Sequence, residues 1–296
     1  MKQQQSIQVF GEVLFDCFPD QSCVLGGAPF NVAWHLQAFG AAPKFISRIG
    51  TDKAGSTILA CMSEWGLETQ GIQRDNIHPT GKVQVWFENN EPHYDIVADS
   101  AYDFIDATLF GEKANQGILY HGSLAIRQPV SKAALQQLKA NHQGKIFVDI
   151  NLRPPYWQKE TVQSLLLDAD WVKLNDAELM LLQPDEQNVQ QAMQAFYKQF
   201  ELETLVVTCG EQGAIAINQH GIISVTPAVN IELIDTVGAG DAFSSVLILG
   251  MIKNWSLKLA LTRAQDFASA IVGQRGATAN DWALYHSFCK SWNLNQ

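Results

Sequence analysis

The stretch IDTVGAGDAFSSVLILG, residues 234–250, sets a turn rich in glycine and aspartate directly before a long apolar run. Asp235, Gly238, Gly240 and Asp241 read as a turn, and Ala242 to Ile252 as a buried helix. Glycine lets a backbone aim its N–H groups inward, and a helix start adds unpaired donors and partial positive charge. Such a place attracts an anion, most often a phosphate. Asp241 opposes that attraction unless it has to touch the group that attacks the phosphate. Taken alone, the same residues also describe an ordinary glycine-rich turn with a helix cap.

Outward from this stretch, strand-like and helix-like runs alternate. IQVFGEVLFD reads as a first strand, APFNVAWHLQAFG as a helix ended by Gly40, KFISRIG as a second strand and AGSTILACMSEWG as a second helix. GILYHGSL, KIFVDIN, DWVKLN and TLVVTCG are short β-rich runs, mostly apolar on both faces, separated by SKAALQQLKANHQ, ETVQSLLLDA and NVQQAMQAFYKQF. Buried strands alternating with helices imply a mainly parallel sheet covered on both sides. Two regions break the rhythm. GKVQVWFENNEPHYDIVAD alternates as a half-exposed hairpin does, and CFPDQSC has no helical pattern. Together they read as a small β lid.

The chain has 296 residues, 47% of them hydrophobic and 17% charged, which describes a globular protein with a sizeable core. Twenty Lys and Arg stand against 30 Asp and Glu, for a formal charge of −10, and no basic run occurs. Binding nucleic acid or an anionic membrane by bulk charge is thereby disfavoured. Five scattered cysteines without motif spacing argue against a disulfide framework and a zinc site. With neither a signal-peptide pattern nor a run long enough to span a membrane, a cytoplasmic location is expected. The Trp and Phe residues read as core, and the histidines lack metal spacing.

A second chemistry-bearing stretch, GGAPFNVAWHLQAFGAAPKFISRIG, spans Gly26 to Gly50. Gly26 and Gly27 allow close approach to the backbone, and Asn31 offers a donor and an acceptor. Such groups suit a polyhydroxylated ligand. Asp16 could accept two of its hydroxyls, or could simply cap a turn.

These two stretches resemble the signatures of PfkB-family sugar kinases, which share the ribokinase fold. The first shows paired glycines, Asn31, Ala33, Gly40 and Gly50 at the family's intervals, and the second shows DTVGAGD. The resemblance runs from about Gln8 to about Tyr285. It implies a ribokinase-like three-layer α/β/α sandwich, with a mainly parallel central sheet and a small β lid. Residues 1–296 would form a single domain, with lid segments at about 17–25 and 80–101.

The resemblance also implies roles. Asp241 matches the general base, and Gly238, Ala239, Gly240 and the Asp241 amide match the anion hole. Asp16, Gly26, Gly27, Asn31 and Arg153 match substrate-binding positions. In NDAE, Asn175 and Glu178 resemble the NxxE motif that organises Mg²⁺ and phosphates indirectly; a plain helix cap explains the same residues. TCGEQG resembles the nucleotide-binding turn, through Thr208, Gly210 and Gly213, and no GxxxxGK[ST] occurs. In many relatives, though not all, positions matching Asp235 and the Val237 carbonyl hold K⁺. The expected ligands are therefore ATP, Mg²⁺ and a sugar, with K⁺ left open, and the expected assembly is a homodimer through the lid.

GGAPFN and DINLRPPYW favour fructose as acceptor, with ribose or 2-keto-3-deoxygluconate as alternatives. A non-sugar acceptor and a catalytically silent sugar-binding protein are further rivals. Two departures stand out. Phe30 replaces a small residue before the asparagine, and Val246 is bulkier than usual in the helix after Asp241.

Overall fold

The computed structural model describes residues 5–88, 91–110, 115–227, 236–273 and 276–294. The larger of two sheets is built from β1 (Ile7–Phe10), β4 (Lys44–Gly50), β5 (Ile72–Asp75), β8 (Ile118–His121), β9 (Lys145–Asp149), β10 (Trp171–Asn175), β11 (Thr204–Thr208), β12 (Ala214–Asn218) and β13 (Gly221–Val225). Their spatial order is β13-β12-β11-β10-β9-β8-β1-β4-β5. Every pairing from β11 to β5 is parallel, and β12 and β13 add an antiparallel edge.

Alternation along the strands divides the core between the two faces of this sheet. Ile7, Val9, Phe45, Ile118, Tyr120, Phe147 and Val206 join one cluster, with α1 (Ala28–Ala38), α2 (Lys53–Glu64), α7 (Ala239–Lys253), α8 (Leu257–Val272) and α9 (Trp282–Ser291). Phe10, Ile46, Leu119, Val148, Leu205 and Val207 join the other, with α3 (Pro129–Ala140), α4 (Lys159–Leu166), α5 (Asp176–Leu182) and α6 (Val189–Gln199). The result is the three-layer α/β/α arrangement expected from buried strands alternating with helices. In α7 every residue from Ala242 to Gly250 is buried, as its unbroken apolar run requires.

The smaller sheet has the order β3-β2-β6-β7, from β2 (Leu14–Cys17), β3 (Cys23–Gly26), β6 (Gly81–Glu88) and β7 (Glu91–Ile96). Two corrections to the sequence reading follow. IQVFGEVLFD is not one strand but two, β1 and β2, in different sheets. The chain leaves the large sheet at Gly11, where a Cβ would lie 2.3 Å from the Pro29 ring. Cys17 and Cys23 are bridged, against the expectation from cysteine spacing. They are register partners across the β2–β3 hairpin, a pairing hidden while CFPDQSC read as patternless.

Both departures in the signatures fit within the core. Phe30 is fully buried, 5.7 Å from Trp34 and 5.6 Å from Phe45 between ring centroids, so it points away from any ligand. Val246 is 0% exposed within α7.

Phe147 is 0% exposed and packs edge-on against Tyr120. Phe147→Ala is expected to cost about 3–5 kcal/mol in urea unfolding. A loss below about 1 kcal/mol would show that this sheet–helix layer is not the tightly packed core described.

Candidate active site

From β1 the chain moves outward to β4 and β5, then returns to β8 and runs the other way. Strand order therefore reverses between β1 and β8, and a crevice opens beyond the carboxyl ends of the strands at such a point. Asp149 and Asn175 end β9 and β10 there, and Thr208 ends β11. Glu12 and His121 lie just past β1 and at the end of β8.

Gly238 caps α7 in the left-handed conformation, φ 82°, and a Cβ there would lie 2.4 Å from Ala277 Cβ, so only glycine fits. The first bond of the helix ladder runs from the Ala242 amide to the Gly238 carbonyl at 2.9 Å. The Ala239 amide turns back to the Thr236 carbonyl at 3.4 Å. The Gly240 and Asp241 amides lie on the first turn of α7, ahead of the start of this ladder.

Across the crevice, Asn31 Nδ2 donates to Asp241 Oδ2 at 2.8 Å, joining residues 210 apart in sequence. Asn31 Oδ1 is buried with no hydrogen-bond partner among the described residues. A Cβ built on Gly26 would lie 3.4 Å from Asp16 Oδ2 and 3.9 Å from Asn31 Oδ1. The bare Gly26 thus leaves a space on which one carboxylate and one orphaned amide oxygen converge. Asp16 stands beside it on β2, paired in register with Val24. Gly27 is the N-cap of α1, and its carbonyl takes the Asn31 amide at 2.8 Å.

Burial pushes the Asp241 carboxyl up to about 7; the Asn31 hydrogen bond opposes the rise, Asp149 adds to it, and Lys173 and Arg153 oppose it. Burial likewise lifts Glu12 to about 7 and Asp16 to about 6. Arg153 is exposed, yet its charge acts on all three of these carboxyls, so it faces the same crevice. Glu12 is 3% exposed and its Oε2 has no partner among the described residues.

The motifs that follow β10 and β11 have firm structural duties. Asn175 and Glu178 form a reciprocal cap on α5. Glu178 Oε2 accepts the Asn175 amide at 2.9 Å and Oε1 the Leu152 amide at 2.6 Å, so it also pins the segment that carries Arg153. With both oxygens engaged by backbone amides, Glu178 could meet a metal ion only through water or by accepting it beside these bonds. Thr208, Gly210 and Gly213 form a tight turn in which the Cys209 amide donates to the Gly213 carbonyl at 2.7 Å. A Cβ on Gly213 would lie 2.1 Å from the Val225 carbonyl, so sheet pairing alone requires that glycine. The Gly210 face is open. Asp235 lies outside the described residues, and Val237 is 48% exposed in the turn before α7.

One guanidinium ties the lid to this floor. Arg127 donates through Nε and Nη2 to Asp103 at 2.7 and 2.8 Å, and to the Val97 carbonyl at 2.6 Å. It also stacks 4.8 Å from the Tyr156 ring, in the loop after Arg153.

A family model described as "pfkB family carbohydrate kinase" matches residues 6–283. The chain belongs to this family. It is 29% identical to a putative sugar kinase of Pyrococcus horikoshii over 85% of this chain and 82% of that one. It is 28% identical to a fructokinase of Escherichia coli over 83% and 84% of the two chains. Among solved structures, a fructokinase of Vibrio cholerae bound to fructose, ADP and calcium superposes with a TM-score of 0.81 at 25% identity, over 96% of this chain and 98% of that one. The fold is ribokinase-like and the protein is a carbohydrate kinase. Sequence reasoning missed Glu12 and Lys173, whose available signals were a glutamate and a lysine each set inside an apolar, strand-like run.

A base must be ionised to act, so kcat/KM is expected to fall as pH drops below about 7 and protons return to Asp241. Glu12 titrates beside it, so the limb belongs to the pair. Asn31→Ala removes a donor that favours the ionised form and is expected to move the limb to higher pH. An unmoved limb in a pH–rate profile would disconnect Asn31 from the base.

Proposed function

We propose that this kinase transfers the γ-phosphoryl group of ATP to a free sugar, with fructose and its 6-hydroxyl as the favoured acceptor. The observation that carries this reading is the Asn31–Asp241 hydrogen bond, which brings both signatures to one crevice beside the first-turn amides of α7. The likeness to the fructokinases of E. coli and V. cholerae supports the choice of sugar.

In this mechanism Asp16 and Asn31 Oδ1 accept hydroxyl protons of the sugar and fix its position. Asp241 takes the proton of the attacking hydroxyl as the new O–P bond forms, and ADP leaves. The Gly240 and Asp241 amides receive the charge gathering on the transferred group, and Arg153 adds a cation at the crevice edge. Mg²⁺, carried on the nucleotide and met indirectly by Glu178, neutralises phosphate charge when bound. Asn175, Thr208, Gly210 and Gly213 line the nucleotide side. A K⁺ ion held through Asp235 and Val237 belongs to the same reading. The whole chain acts as one kinase unit with the lid over the crevice, in the cytoplasm where ATP is supplied.

The lid supports a homodimer. Register places Val24, Val83, Val85, Tyr94 and Ile96 on the lid face that carries Asp16. Val24 is 38% and Tyr94 58% exposed there, a partly uncovered apolar face that a partner lid would bury.

A coupled ADP-release screen over fructose, glucose, ribose, adenosine and 2-keto-3-deoxygluconate is expected to give its highest kcat/KM with fructose. Asp241→Asn is expected to lower kcat at least about 10²-fold with near-normal ATP affinity; a variant keeping a third of wild-type turnover would remove Asp241 from the role. Solution scattering at micromolar concentration is expected to show two chains per particle, and a one-chain particle would refute the lid pairing.

A further inference from the structure

Lys173 is a buried charge with no part in the mechanism above. It lies in β10 between Val172 and Leu174, both 0% exposed, and is itself 5% exposed. Charged side chains this deep are rare unless paired. Its Nζ is 2.9 Å from each oxygen of Asp149, at the end of the neighbouring β9. Asp149 Oδ2 also takes the Ser244 hydroxyl at 2.6 Å and the Tyr120 hydroxyl at 3.2 Å. Ser244 lies on the first turns of α7, and its oxygen is 3.0 Å from the Gly240 carbonyl.

A buried ion pair does not by itself stabilise a fold relative to apolar residues, so the position of this one matters more than its presence. A Cβ on Gly240 would lie 3.3 Å from Lys173 Nζ. The ammonium therefore sits against the turn whose amides face the crevice. The ammonium has three N–H donors and gives two to the Asp149 oxygens; among the described residues no hydrogen bond occupies the third, on a group adjoining Gly240.

We propose that Lys173 is a positioning residue for phosphoryl transfer: clamped by Asp149, it fixes the first turn of α7 and lends that turn a buried positive charge where negative charge gathers on the migrating group. The inference rests on the phosphoryl-transfer reading. A fixed charge in a water-poor site acts more strongly than one in solvent and needs no reorganisation during reaction. Lys173 also opposes the rise of the Asp241 carboxyl, so the same ammonium favours the ionised base.

The competing account is that Lys173 only neutralises Asp149. K173M alone would strand a buried carboxylate, so the decisive protein is the double variant D149N/K173M. It removes both charges, leaves the local net charge unchanged and keeps an amide oxygen for Ser244 and Tyr120. The double variant is expected to keep sugar KM within about twofold while kcat falls at least about tenfold. By titration calorimetry, its affinity for ADP–aluminium fluoride with Mg²⁺ should fall by a similar factor, with affinity for ADP alone unchanged. Should it not fold, K173Q, which keeps a donor to Asp149, is read in the same way. Wild-type kcat and wild-type affinity for the fluoride complex would overturn the proposal. If the wild-type protein phosphorylates no acceptor, yet the fluoride complex binds in a Lys173-dependent manner, the sugar reading fails and the role of Lys173 stands.

Discussion

A parallel sheet has to return its chain across its own faces, and where the strand order reverses two returning connections part company. In this protein that happens between β1 and β8. The loops that leave β1, β8, β9, β10 and β11 all open on the same side, and α7 begins there too. α1 and α7 pack against one another there, which brings Asn31 and Asp241 into hydrogen-bond contact from 210 residues apart. The helix layers, the burial of Phe30 and the fit of Val246 all serve to hold that meeting place rigid.

The meeting place carries an electrostatic tension that suits its chemistry. Burial pushes the carboxyls of Glu12, Asp16 and Asp241 up; Asp241 adds to the rise at Glu12, and Asp149 adds to the rise at Asp241. Lys173 from below and Arg153 from the edge hold that last rise in check. The outcome is an acid poised near neutrality, able to take a proton and to give it up again. A more basic floor would pin Asp241 as a permanent anion, and a more acidic one would keep it protonated.

Much of this was legible in the chain. The apolar runs of β4, β8, β9, β10 and β11, and the hairpin of β6 and β7, stand out because buried strands and half-exposed strands have different patterns. Glycine, asparagine and aspartate marked the two signatures, which the structure joins through Asn31 and Asp241. What stayed hidden depended on partners far away in sequence. The split of IQVFGEVLFD into two sheets depends on Pro29 pressing on Gly11, and the Cys17–Cys23 bridge depends on a hairpin register. The NxxE motif could be read as cap or as phosphate organiser, and the structure shows the cap in full, because Glu178 meets Leu152 from a different loop. Lys173 escaped notice inside DWVKLN because its partner, Asp149, sits in the preceding strand.

Arg127 has a mechanical meaning. Its guanidinium grips the end of the lid at Val97, the short turn at Asp103 and the face of Tyr156. Lid and substrate loop are thereby coupled like two arms on one axle. The end of the small sheet and the chain three positions beyond Arg153 therefore share one anchoring group.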